Sequence, residues 1–128
     1  MPVGTTGEAA TLSEDEALAI IERTVKRVDG KAYVLAGTGS NATDKAIKAT
    51  KRAAEVGVDG VLLVSPYYNK PSQKGIVAHF EAVADCADID NVLYSVPGRT
   101  GMAIEADTVA ALSRSRRNIV GIKEAGGD

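Results

Sequence analysis

Apolar residues recur along this chain in two rhythms that take turns. Leu18, Ile21, Val25 and Val28 fall at helical spacing. Ser13-Glu14-Asp15-Glu16 precedes them as a capping box, with Ser13 at the cap and Glu16 reaching back. Asp29-Gly30 closes that helix. Residues 32–36 then read as a strand, and Gly37-Thr38-Gly39-Ser40 as the loop after it. The pattern repeats. Asn41 or Thr43 is the expected cap of a second helix with Ala46, Ile47, Ala53, Ala54 and Val56 on its apolar side, stopped by Gly57. Val61-Leu62-Leu63-Val64 is apolar at every position, as suits a strand covered on both faces. Ser72 opens a third helix carrying Ile76, Val77, Phe80, Val83, Ala84 and Ala87, followed by a strand over 91–95 and a loop over 96–101. A fourth helix over 105–114 turns Ala106, Val109 and Leu112 inward, and residues 119–123 form a last, buried strand.

Helices between consecutive strands force parallel pairing through right-handed crossovers. The strands start at intervals of roughly 30 residues, the length of one βαβ unit. A doubly wound open sheet and a (β/α) barrel share this α/β pattern. In both, function gathers at the strand C-termini. The loops there hold the unusual residues: Gly37-Thr38-Gly39, Pro66-Tyr67-Tyr68-Asn69, Pro97-Gly98-Arg99-Thr100 and Lys123-Glu124.

Composition narrows the function. The chain has 128 residues, enough for one domain with a real core, and 45% apolar with 25% charged residues is ordinary for a soluble protein. A net charge of −2 without a basic run argues against nucleic acid. Arg114, Arg116 and Arg117 cluster at a helix end, where they are expected to complement its dipole. No apolar run is long enough for a membrane span, and no signal-peptide pattern opens the chain. Cys86 is alone, is expected to fill a helix face, and fits a reducing, cytoplasmic setting. His79, the only histidine, sits mid-helix and is expected to be structural; no metal site is expected. Gly37-Thr38-Gly39 lacks the third glycine of a dinucleotide fingerprint.

Lys123 carries the most chemistry. An ammonium in a buried strand is disfavoured, and a neutral lysine attacks carbonyl carbon to form a Schiff base. The alternative is a strand-end lysine whose amine reaches solvent.

Four segments then combine: Gly4-Thr5-Thr6-Gly7-Glu8, Pro66-Tyr67-Tyr68-Asn69-Lys70-Pro71, Tyr94-Ser95-Val96-Pro97-Gly98-Arg99-Thr100-Gly101 and Gly121-Ile122-Lys123-Glu124-Ala125. In this order and spacing the chain resembles the dihydrodipicolinate synthase (4-hydroxy-tetrahydrodipicolinate synthase) family, within the pyruvate-dependent class I aldolases that include N-acetylneuraminate lyase. The resemblance implies a partial TIM (β/α)8 barrel of four αβ units with parallel strands, a single half-barrel domain over 1–128. It implies a lyase that condenses pyruvate with aspartate semialdehyde towards diaminopimelate and lysine, with no cofactor and no metal. Lys123 would form the imine. Tyr94 would donate and accept protons there, with Thr5 and Tyr68 completing a hydroxyl relay, because a phenol titrating near 10 needs help. The tyrosine matching Tyr68 reaches a neighbouring subunit's site in that family. Backbone N–H groups of Thr5 and Thr6 would hold the pyruvate carboxylate, and Arg99 the semialdehyde carboxylate.

The chain also departs from that pattern. A full barrel runs to about 250 residues. Met1-Pro2-Val3 reads as a stub of the family's second strand, and the chain stops after the sixth. Open apolar strand edges lead to the expectation of a homo-oligomer, such as a two-fold dimer. Ser95 replaces a usual asparagine. Ala9, Glu14, Ala17 and Lys45 differ from the lysine-inhibition residues of some members, while Asn41 and Tyr67 remain, so no lysine feedback is expected. Two other functions stay open: a catalytically silent, self-associating half-barrel, and a related pyruvate aldolase. A flavodoxin-like module would instead show bound nucleotide or flavin.

Overall fold

A computed structural model describes residues 1–127. Two 3-10 turns, Thr5–Gly7 and Ala9–Thr11, lead into α1 (Glu14–Val28). Then follow β1 (Leu35–Gly37), α2 (Thr43–Glu55), β2 (Gly60–Val64), α3 (Gln73–Ala84), β3 (Asp90–Ser95), α4 (Pro97–Thr100), α5 (Ala106–Ser115) and β4 (Ile119–Glu124). The four strands form one parallel sheet in chain order. The long helices pack side by side, α1 on α2, α2 on α3 and α3 on α5. A doubly wound sheet needs a reversal of strand order and helices on both faces. Neither feature is present among the described residues, and the arrangement is that of a partial (β/α) barrel.

The sheet divides the apolar residues by alternation. Val61, Leu63, Leu93 and Ile119 face the helices and join Ile76, Phe80 and Leu112 in the main core. Leu62, Val64, Tyr94 and Val96 form a smaller cluster on the other, concave face. Leu63, Ile76, Phe80, Leu93 and Leu112 are fully buried. Each such side chain contributes about 1.5–3 kcal/mol through its removal from water. Val61 to Val64 are buried at every position, as the unbroken apolar run predicts.

Local signals largely hold. Ser13 and Glu16 form the reciprocal capping box, and Ser72 accepts from the Gly75 N–H. Gly57 turns the chain at φ +88°. The N-terminal residues lie against β1, where the Pro2 carbonyl accepts from the Gly37 N–H at 3.0 Å.

Several expectations need correction. Neither Asn41 nor Thr43 caps α2; Ala42 occupies that position and offers no side chain. Thr43 instead pairs its hydroxyl with His79 Nδ1 at 2.8 Å. The first strand is shorter than residues 32–36 suggest, and residues 97–100 form a helical turn rather than a loop. Ala106 is exposed, and Thr108 takes the inward position on α5. Cys86 and Ala87 lie beyond the end of α3. Arg116 chelates Asp85, with Nε 2.5 Å and Nη2 2.9 Å from the carboxylate oxygens, which ties α5 to the end of α3, while its Nη1 donates to the Ser115 carbonyl at 3.0 Å at the end of its own helix.

The last strand is the main correction. Only Ile119 in β4 is buried, and Lys123 is exposed. β4 pairs with β3 alone, and Val120 and Ile122 are 53% and 37% exposed. The register also jumps. Asn91 faces Ile119, but Val92 faces Gly121, which leaves Val120 bulged out.

Candidate active site

The glycines at the end of β1 and in the loop after it are explained by crowding. A Cβ on Gly37 would sit 2.0 Å from the Val3 carbonyl oxygen, and one on Gly39 would sit 2.4 Å from the Val64 nitrogen. These glycines let backbones approach, bringing the N-terminal turn and the β1 loop against β2.

That approach shapes a cavity of about 380 Å3 at the strand C-termini. Thr5, Tyr94 and Arg99 line it with Val64, Tyr67 and Thr100. β3 delivers Tyr94, whose Cα register partners are Val64 on one side and Lys123 on the other. Tyr94 is 5% exposed. Lys123 Nζ lies 4.2 Å from the centroid of its ring, within cation–π range. Pro97 starts α4 at a position where its missing N–H costs nothing, and Gly101 ends it at φ +78°. Arg99 stands on that single turn. Lys70 crosses over Gly101, its Cε 2.6 Å from where a Cβ would be, so the tyrosine loop and the Arg99 turn touch.

Thr5 and Thr6 begin the first 3-10 turn, so their N–H groups have no partner within it. Thr5 lines the cavity. Thr6, Tyr68 and Lys123 do not, although Lys123 borders it through Tyr94. Tyr68 is 91% exposed and holds φ +72°, with Lys70 two residues on at +42°. Two amides steady this strained loop: Asn41 Nδ2 donates to the Tyr67 carbonyl, and Asn69 Nδ2 donates to the Asn41 carbonyl, both at 3.3 Å. Ser95 is fully buried, and its hydroxyl accepts from the Ile104 N–H at 3.3 Å. Its contribution is to anchor the segment ahead of α5.

Sequence reasoning gave Ser40 and Thr100 no role, yet both line the cavity. Their place in loops after strands was the available signal. Thr100 donates to carbonyls of Val96 and Met102, which sets the turn carrying Arg99.

The described residues hold no cluster of three or more His, Cys, Asp or Glu suited to a metal ion, and no helix long and apolar enough to cross a membrane. Burial lowers the pKa of His79 and raises that of the Cys86 thiol. Neither residue lines the cavity.

The family model described as "Dihydrodipicolinate synthetase family" matches residues 1–128. The chain belongs to the dihydrodipicolinate synthetase family. A curated relative, 4-hydroxy-tetrahydrodipicolinate synthase of Pelobacter propionicus, is 56% identical over 126 residues, which cover 98% of this chain and 43% of the relative. The solved 4-hydroxy-tetrahydrodipicolinate synthase of Methylacidiphilum fumariolicum SolV superposes with a TM-score of 0.98 at 52% identity, over 99% of this chain and 42% of that one. The chloride-inhibited enzyme of Acinetobacter baumannii, solved with pyruvate, gives 0.95 at 47% identity, over 98% and 43%. The chain thus spans under half the length of the family members it matches, and its sheet is a partial barrel of their fold.

Proposed function

We propose that this chain carries the imine-forming part of a 4-hydroxy-tetrahydrodipicolinate synthase, a lyase of lysine and diaminopimelate biosynthesis. The observation that carries the reading is the placement of Lys123 against the Tyr94 ring, beside a cavity that also presents Thr5 and Arg99. Pyruvate is the first substrate, as its presence in the Acinetobacter baumannii structure supports.

Lys123 Nζ adds to the keto carbon of pyruvate, water leaves, and a C=N bond forms. The unpaired N–H groups of Thr5 and Thr6 hold the carboxylate. The protonated imine draws electrons from the methyl group, a proton leaves, and an enamine carbon becomes the nucleophile. Tyr94 moves protons at this centre, with Thr5 beside it in the same cavity. Tyr68 stands in solvent, where it serves a neighbouring subunit's relay rather than this one. The enamine carbon then attacks the aldehyde of aspartate semialdehyde, whose carboxylate pairs with Arg99. The exposed Val120 and Ile122 on β4 support self-association; a monodisperse monomer in light scattering would argue against that part.

Borohydride reduction in the presence of pyruvate, followed by intact mass and peptide mapping, tests the chemistry. A reduced pyruvyl adduct on Lys123 is expected. A folded protein without the adduct would leave a catalytically silent half-barrel as the better description.

A further inference from the structure

Arg99 stands exposed on the single turn of α4. It takes part in no ion pair among the described residues, so the backbone beneath it sets where it stands. That backbone has little regular structure to rest on. After Thr100 the chain runs through residues 101–105 before α5 begins at Ala106. Thr100 and Ser95 each tie one point of this connection, at Met102 and at Ile104. Gln73 ties the rest of it from another element.

Gln73 is the first residue of α3, where the Ser72 cap fixes the start of the helix. Its Nε2 donates to the Ala103 carbonyl at 3.0 Å. Its Oε1 accepts from the Glu105 N–H at 3.2 Å and from the Thr108 hydroxyl at 2.7 Å. An amide oxygen has two acceptor positions, and both are in use. Glu105 is the N-cap of α5, and its own side chain makes no cap bond. Gln73 therefore satisfies the N-cap N–H as the third residue of a capping box would, but from a neighbouring helix. Lys70, three residues earlier, crosses over Gly101. The short stretch from Lys70 to Gln73 thus touches both ends of the connection that follows Arg99.

We propose that Gln73 is a positioning residue for Arg99. It holds the 101–105 connection so that the guanidinium meets the carboxylate of an aldehyde substrate, and it leaves the imine step alone. The proposal rests on the reading of Arg99 as the partner of the semialdehyde carboxylate.

Two measurements on the whole chain test it. Hydrogen exchange needs no chemistry at Lys123. Gln73→Met keeps the length of the side chain and removes all three bonds. The amides of Gly101 and Ile104 should then exchange about fivefold faster, the typical worth of one hydrogen bond, while that of Leu63 stays unchanged. The second measurement follows pyruvate consumption with aspartate semialdehyde or with acetaldehyde, which has no carboxylate. Gln73→Met should form the pyruvyl adduct at the parent rate and leave the KM for acetaldehyde unchanged. The KM for aspartate semialdehyde should rise about tenfold, less than the ~100-fold that a misplacement of about 1 Å can cost. In an Arg99→Gln background the same change should add nothing further. Thr108→Val removes one of the three bonds and should give a smaller shift in the same direction; it decides the case if Gln73→Met does not fold. The proposal is overturned by unchanged exchange at Gly101 and Ile104, by an equal loss with both aldehydes, or by full additivity with Arg99→Gln. A parent chain that forms no adduct overturns the imine reading alone, and exchange still decides whether Gln73 holds the turn.

Discussion

Lys123 and Tyr94 face one another across the β3–β4 pair, with the ammonium nitrogen 4.2 Å from the ring centroid. In the proposed reaction the ring and the hydroxyl of Tyr94 have separable duties. The ring holds the lysine over the concave face, and the hydroxyl is available for proton transfer. Tyr94→Phe keeps the first and removes the second. It is expected to leave the circular dichroism spectrum intact and slow pyruvate trapping at Lys123 by about 100-fold or more, the low end of general acid–base contributions. Trapping at an unchanged rate would remove Tyr94 from the chemistry.

Gly39→Ala probes the close approach that forms the cavity. The added methyl would meet the Val64 backbone nitrogen at 2.4 Å, where no flexible side chain can yield. A loss of about 1–3 kcal/mol is expected in urea unfolding, as for other overpacked sites. Gly98→Ala serves as the control, because nothing lies within 4 Å of its added methyl.

His79 makes stability depend on pH. It is 5% exposed, its Nε2 has no hydrogen-bond partner, and burial lowers its pKa from the ordinary 6.5. The folded state therefore favours the neutral ring, and the unfolded state binds the extra proton first. Stability should be complete above pH 6.5 and decline as pH falls from there towards the folded-state value. His79→Gln should flatten the slope in that window. Thermal melts of the two proteins between pH 5 and 8 provide the comparison. A slope unchanged in the variant would assign it to another group.

The capping box at α1 gives a simpler test. Ser13→Ala removes the acceptor of the Glu16 N–H and should cost about 1 kcal/mol in urea unfolding. A change within experimental error would mean that the first turn of α1 frays in the native state.

These four cases show what the sequence makes legible. Helix periodicity, the Ser13 and Ser72 caps and the unbroken Val61–Val64 run are local signals, and the corresponding elements form where expected. Thr43 was misread because its partner is His79, 36 residues away, and no local pattern records that bond. The Arg99 turn was read as a loop because Pro97-Gly98 suits both a turn and a helix start. The Gly4–Glu8 and Tyr94–Gly101 motifs bring Thr5, Tyr94 and Arg99 to one cavity. The apolar run of residues 119–122 predicts a buried strand and leaves Lys123 either buried or reaching solvent from the strand end, but burial depends on what lies beside the strand. β4 has one partner, so the same residues stand in solvent.

The unpaired Val120 separates two demands of opposite parity. Ile119 and Lys123 are four positions apart, and strict alternation would send both to the same face. Ile119 belongs to the helix-facing core. Without the extra residue, a lysine four positions on would be pressed among those helices, opposite Ser95. One bulged residue lets the strand begin in the core and finish at the cavity. The position of the Lys123 amine is thus written in a count of residues rather than in its neighbours' chemistry, and a one-residue insertion between Val120 and Lys123 would erase it while leaving every motif legible.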